Sequence, residues 1–169
     1  LIGCWALSKL PVTDNRLDEG GSVTTLGHIV YYVRDLETSL KFYHEVVGLD
    51  VRGRIFNNQA AILTGGSTHH ELLLIQVGDA EGPLHGRRVG LYHAGWKIGD
   101  SIDELKKFYN KLLELGYTPD GVSDHTVSQS IYLRDPDGNE VELFVDDPDY
   151  DWKNDSRWLD APVKPLDLS

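Results

Sequence analysis

The sequence predicts an α+β fold of two βαβββ modules, paired into one curved, mostly antiparallel eight-stranded sheet. Three observations predict it. Apolar residues switch repeatedly between the alternation of a strand and the longer period of a helix, and the resulting order β-α-β-β-β occurs twice. Matching features recur at near-constant spacing: His28 and His93 (93 − 28 = 65), the Phe-Tyr pairs at 42–43 and 108–109 (108 − 42 = 66), and Gly48 and Gly116 (116 − 48 = 68). Units of this kind each leave one sheet face uncovered, and pairing the two buries it.

Residues 1–22 lack periodicity and are punctuated by Pro11, Asp14, Asn15, Gly20 and Gly21, as expected of an N-terminal extension. Residues 26–33, rich in β-branched and aromatic side chains, predict the first strand. Asp35 can then cap a helix whose stripe is Leu36, Leu40, Tyr43 and Val47 and which Gly48 ends. Strands are predicted at 49–56, 59–64 and 69–77, separated by Asn57-Asn58 and Gly65-Gly66-Ser67. A loop over 78–88 leads to the second unit. Its first strand is predicted at 89–98, and Ser101 and Glu104 have the spacing of a capping box. Leu105, Phe108 or Tyr109, and Leu112 form the helix stripe, Gly116 ends it, and strands follow near 117–122, 128–134 and 140–146. One domain over 23–147 is therefore expected, with module one at 23–80 and module two at 88–147. The tail over 148–169 is dense in Asp and Pro, and Trp152 and Trp158 are candidates to pin it to the body or to a second subunit.

A chain of 169 residues with 40% hydrophobic content can bury one sizeable core. Its formal charge of −11 argues against nucleic acid or an anionic membrane surface as partner, since both call for basic patches. Cys4, the single cysteine, excludes an intramolecular disulfide, and no apolar run reaches the length of a membrane span. A cytoplasmic location is expected. Residues 1–10 contain Lys9 within a short apolar stretch, which disfavours a signal peptide.

The last strand carries the functional signal. A turn over 135–139 feeds it, and alternation puts Val141, Leu143 and Val145 on one face, with Glu140, Glu142 and Phe144 on the other. A core-facing carboxylate calls for a cationic partner. His28 and His93, at repeat-equivalent positions in apolar runs, offer further ligands for a metal cation. The competing readings are core histidines held by hydrogen bonds, and a Glu142 paired with Arg34 or Arg134. An offset near 70 (142 − 72 = 70) aligns Glu142 with Leu72.

The two βαβββ units, the histidine on each first strand and the Asp135-Pro136-Asp137-Gly138-Asn139-Glu140-Val141-Glu142-Leu143 run resemble the vicinal oxygen chelate superfamily over about residues 24–147. The resemblance implies the fold shared by glyoxalase, bleomycin resistance proteins and extradiol dioxygenases, which serves several activities. Thr68-His69-His70, Leu91-Tyr92-His93, Asp124-His125-Thr126 and Ser130-Ile131-Tyr132 are similar to the extradiol, catechol 2,3-type dioxygenases of aromatic compound degradation. That likeness implies an enzyme that inserts both atoms of O2 into a catechol-type diol beside its hydroxyl pair. By it, His28, His93 and Glu142 are ligands of Fe(II), with Mn(II) as the alternative because ligand preferences overlap. His70 would act as acid and base, and His125 and Tyr132 would hold or polarise a substrate oxygen. His69 is the alternative to His70, which strand parity places with Leu72. His44 and His85 are expected at the surface, and a homo-oligomer is expected. The rival functions are a glyoxalase-like metal-dependent lyase or isomerase, which would take a fourth carboxylate where Leu72 stands, and a non-catalytic antibiotic-binding protein.

Overall fold

The structure, a computed structural model, describes residues 24–83, 86–160 and 163–168. The expected N-terminal extension over 1–22, Cys4 and His85 lie outside the described residues. The first module runs β1 (Ile29–Val33), α1 (Leu36–Lys41) continued by a π-helical stretch (Phe42–Val47), β2 (Asp50–Ile55), β3 (Ala60–Thr64) and β4 (Leu72–Gln76). The second runs β5 (His93–Gly99), α2 (Ile102–Glu114), β6 (Gly121–Asp124), β7 (Ser128–Arg134) and β8 (Glu140–Asp146).

Local chemistry explains the boundaries. In β1, Tyr31 and Val33 turn inward while Val30 and Tyr32 stay exposed, the alternation of a strand with one covered face. Asp35 caps α1 by accepting the Thr38 amide at 2.7 Å. Gly48 ends the helical run at φ +93, a conformation that favours glycine. At α2, Ser101 Oγ accepts the Glu104 amide at 3.4 Å, and Glu104 Oε2 accepts from the Asp100 amide and the Ser101 hydroxyl at 2.8 and 2.9 Å. The predicted capping pair is formed. Strand β5 starts at His93 rather than at 89, and β6 starts at Gly121 rather than near 117. Gly116 at φ +82 and Pro119, which has no amide to give, delay β6.

The strands form two four-stranded sheets, ordered β1-β4-β3-β2 and β5-β8-β7-β6. The fold class is as expected, but the single eight-stranded sheet resolves into two. Both are mixed, because β1 pairs parallel to β4 and β5 parallel to β8 while the other pairs are antiparallel. These crossovers leave β1 and β5 as edge strands, with no backbone pairing between them.

Side chains join the modules instead. One continuous apolar core runs from Leu36, Phe42 and Leu74 in the first to Leu105, Ile131 and Leu143 in the second. Across it the Tyr43 hydroxyl donates to Asp135 Oδ2 at 2.8 Å, and Arg34 Nη1 donates to Asp137 Oδ1 at 3.0 Å. The tail also returns: Lys164 and Asp124 exchange backbone hydrogen bonds of 2.9 and 3.0 Å, and Leu168 is buried, whereas Trp152 is exposed. Backbone and leucine fix it to the body where Trp152 does not, and Trp158 is half-buried. Among the described residues, no helix is long and apolar enough to cross a membrane.

Register corrects one expectation. Ile29 pairs with Leu72 and Val30 with Leu73, while Ala94 pairs with Val141 and Gly95 with Glu142. With His28 equivalent to His93, the counterpart of Glu142 is Leu73. Leu72 is the counterpart of Val141, and both are fully buried in the core. The offset of 70 was one residue out because Glu71 sits in a bend before β4, so the loop ahead of that strand absorbs the extra residue.

Candidate metal and catalytic site

The second sheet assembles four of the six residues singled out. Tyr132 of β7 and Gly95 of β5 flank Glu142 on either side of β8. A Cβ on Gly95 would come 3.2 Å from Glu142 Oε2, so the glycine leaves the carboxylate room to lean across β5. Glu142 Oε2 lies 3.1 Å from His93 Nε2. Its other oxygen accepts from the Ser130 hydroxyl at 2.6 Å and the Tyr132 hydroxyl at 3.0 Å. His125 Nε2 is 2.7 Å from that phenol. Because the single phenolic proton goes to Glu142, the hydrogen on this contact belongs to His125 Nε2. Burial first, then the Glu142 charge, pushes the Tyr132 phenol up to about 12, so it remains a donor.

His93 is held from its other side. Its Nδ1 lies 3.3 Å from Glu140 Oε1, Glu140 Oε2 accepts from Arg134 Nη2 at 2.6 Å, and Arg134 Nε donates to Asp120 Oδ2 at 2.9 Å. A carboxylate on one imidazole nitrogen orients the other, here toward Glu142. Sequence reasoning missed Glu140 and Ser130, although each stands two residues from a residue it singled out and so shares its face. Arg134 answers Glu140 rather than Glu142, and Arg34 answers Asp137.

The remaining two residues meet on the first module. His28 precedes β1 instead of lying within it, and it is exposed. Its ring centroid is 4.6 Å from that of His70, which is 4.4 Å from that of His69. The Nδ1 atoms of His69 and His70 are in direct contact. Desolvation, then the neighbouring His69 and His28, pulls the His70 pKa down and favours the neutral imidazole. His70 does not share the burial of Leu72, because the strand begins only after it. Glu71 organises this segment: its carboxylate accepts the amides of Gly65, Ser67 and Thr68 at 2.8, 3.0 and 3.1 Å. His28 also lines a cavity of about 540 Å³ together with Gly95, Trp96, Lys97 and Ile98 of β5. His44 is at the surface as expected.

Imidazole and carboxylate suit a divalent transition metal. Two ligands at right angles on one ion, each at about 2.1 Å, stand about 3 Å apart. His93 Nε2 and Glu142 Oε2 meet that separation at 3.1 Å. His28 does not join them: among the described residues, no three His, Cys, Asp or Glu side chains are grouped to hold a metal ion. The pair is assembled and the triad is not.

A family profile described as the Glyoxalase/Bleomycin resistance protein/Dioxygenase superfamily matches residues 25–143. A catechol-2,3-dioxygenase of Bacillus subtilis (strain 168) is 35% identical over 133 residues, which are 78% of this chain and 45% of that protein. A metallothiol transferase FosB of Lysinibacillus sphaericus (strain C3-41) is 32% identical over 128 residues, 73% of this chain and 84% of that one. The crystal structure of a glyoxalase/dioxygenase from Nostoc punctiforme superposes with a TM-score of 0.63 at 18% identity, covering 72% of this chain and 90% of that one. The chain thus spans less than half the length of the catechol dioxygenase it matches.

Proposed function

The chain belongs to the Glyoxalase/Bleomycin resistance protein/Dioxygenase superfamily, and we propose that within it this protein is an extradiol dioxygenase acting on a catechol-type diol. The observation that carries the reading is the line His125–Tyr132–Glu142–His93, hydrogen-bonded from His125 to Glu142 and ending in the 3.1 Å contact between Glu142 and His93, which combines a proton-bearing imidazole, a persistent phenol donor and a metal-type donor pair. The similarity to a catechol dioxygenase supports it.

His93 and Glu142 would hold the metal; His28, which packs on His70 and not on this pair, would complete the set only by turning its ring from His70 toward them. Fe(II) bound there would supply activation of O2 next to a chelated diol, and Mn(II) offers the same ligand preferences. The protein's own groups do the rest. Ser130 and Tyr132 fix the Glu142 carboxylate, and Glu140 fixes the His93 ring. With Glu142 on a metal and still held by Ser130, Tyr132 would turn its single proton from that carboxylate to a substrate oxygen, and His125, with its proton on Nε2, would back the phenol oxygen. His70, whose pKa desolvation and then the neighbouring His69 and His28 lower, is suited to accept a diol proton.

Leu73 supports this reading over a four-ligand lyase. It stands where a fourth carboxylate would come from, and a leucine cannot bind metal. The test is anaerobic loading with Fe(II), then O2 and a panel of catechols. A coloured ring-opened product is expected. Metal uptake without ring opening, together with thiol transfer or isomerisation, would replace the proposal with one of the other chemistries of the superfamily.

A further inference from the structure

Two guanidinium groups in the wall of a cavity that reaches His93 on its Glu140 side have no partner among the described residues. Arg87 and Arg88, in the segment between β4 and β5, are exposed and form no hydrogen bond or ion pair with a described residue. The chain has 27 Asp and Glu against 16 Lys and Arg, so carboxylates are plentiful. Of the other described arginines, Arg34, Arg54 and Arg157 each hold one and Arg134 holds two, while Arg52 on β2 holds none and lies outside the cavity.

Arg87 and Arg88 line a cavity of about 970 Å³ whose wall also includes Ile29, Tyr31, Tyr92 and His93. Tyr92 carries the cavity wall to the site, its ring centroid 4.7 Å from that of His93. Among the described lining residues, Glu140 is the only acid, and Arg134 meets its charge at 2.6 Å. The cavity therefore keeps a positive surplus in a molecule of net charge −11. The field of such a chain repels anions at long range, so an anionic ligand needs local cations to be retained. The volume leaves room beyond a single aromatic ring.

We propose that Arg87 and Arg88 form an anion subsite that selects an aromatic diol bearing a carboxylate side chain. The ring lies along the Tyr92 and Ile29 wall with the diol toward His93, and the carboxylate meets the two guanidiniums, whose planar donor pattern matches it. This rests on the dioxygenase reading for the diol end, whereas the anion end stands on the cavity alone.

The test is calorimetric titration under argon with three probes: dihydroxyphenylacetate, methylcatechol, which is uncharged, and phenylacetate, which lacks the diol. The wild type is expected to bind dihydroxyphenylacetate about tenfold to a hundredfold more tightly than methylcatechol, the scale of one or two charge-assisted hydrogen bonds. Added salt and the R87Q/R88Q variant should both remove the preference. Equal binding of the two diols by the wild type, or a preference that persists in the double variant, overturns the proposal. If neither diol binds but phenylacetate does, in an Arg87- and Arg88-dependent way, the subsite stands and the dioxygenase reading fails. Absence of binding by all three probes overturns the subsite.

Discussion

Tyr43 of the first module donates its hydroxyl to Asp135 Oδ2 of the second at 2.8 Å, and both side chains are buried. Asp135 also accepts from the Asp137 and Asn139 amides at 2.9 and 2.8 Å, and from Asn139 Nδ2 at 2.8 Å. The turn that launches β8, and with it Glu142, is thus tied to the other half of the molecule. Tyr43→Phe leaves a buried carboxylate short of one donor and should cost about 2 kcal/mol in urea unfolding. Metal affinity at Glu142 should weaken in parallel. A variant as stable as the wild type would show that the contact does not join the modules.

Tyr31 gives the alkaline limb of stability. Burial first, then the Asp135 charge, raises its phenol from 10.0 to about 12, and its hydroxyl has no hydrogen-bond partner among the described residues. The folded state keeps a proton that the unfolded chain releases, so this contribution is complete below pH 10 and is lost as pH rises toward 12. Tyr31→Phe should match or exceed wild-type stability at neutral pH, by up to about 1 kcal/mol, because an unpaired buried hydroxyl is removed. Its unfolding midpoint should also fall less steeply above pH 10.

Glu71 gives the acid limb. Burial would raise its carboxyl, but hydrogen bonds from Ser67, Thr64, Gly65 and Thr68 outweigh it and hold the group at about 2. Its contribution is present above the ordinary value of 4.5 and is lost as pH falls toward 2. Glu71→Gln should speed hydrogen exchange at the Gly65, Ser67 and Thr68 amides at pH 7 and cost about 1–2 kcal/mol. Exchange unchanged from wild type would mean that the carboxylate does not order the loop carrying His69 and His70.

Leu72 and Leu73 separate the two possible registers. Leu72→Glu buries an unpaired charge at a fully buried position and should prevent folding. Leu73→Glu should fold and place a carboxylate on the side of Glu142, holding metal at least as tightly while suppressing ring cleavage by filling a position that diol and O2 need. Parent-rate cleavage by a folded, metal-loaded Leu73→Glu variant would show that this side chain does not face the metal.

Residue patterning made the duplicated βαβββ order and both helix caps legible, because alternation and capping are local rules. The offset between the halves was not, since one bend residue, Glu71, changes parity without changing composition. The partners of Arg34 and Arg134 were not legible either. Each faced several acids, and only the tertiary arrangement assigns them to Asp137 and Glu140. Neither was the position of His28 outside β1, where an apolar run looked continuous with the strand. For the same reason the division of the six singled-out residues into His28 with His70, and His93 with Glu142, Tyr132 and His125, emerges only from the fold.

The central claim is that the site of His93 and Glu142 directs O2 into a diol. Its most direct test is a single turnover of Fe(II)-loaded protein with a catechol under isotopically labelled O2, followed by mass spectrometry of the ring-opened product. The account predicts that both oxygen atoms of one O2 molecule are found in the product, and that His93→Ala and Glu142→Ala yield none. A product carrying no label, or equal incorporation by the two variants, would contradict it.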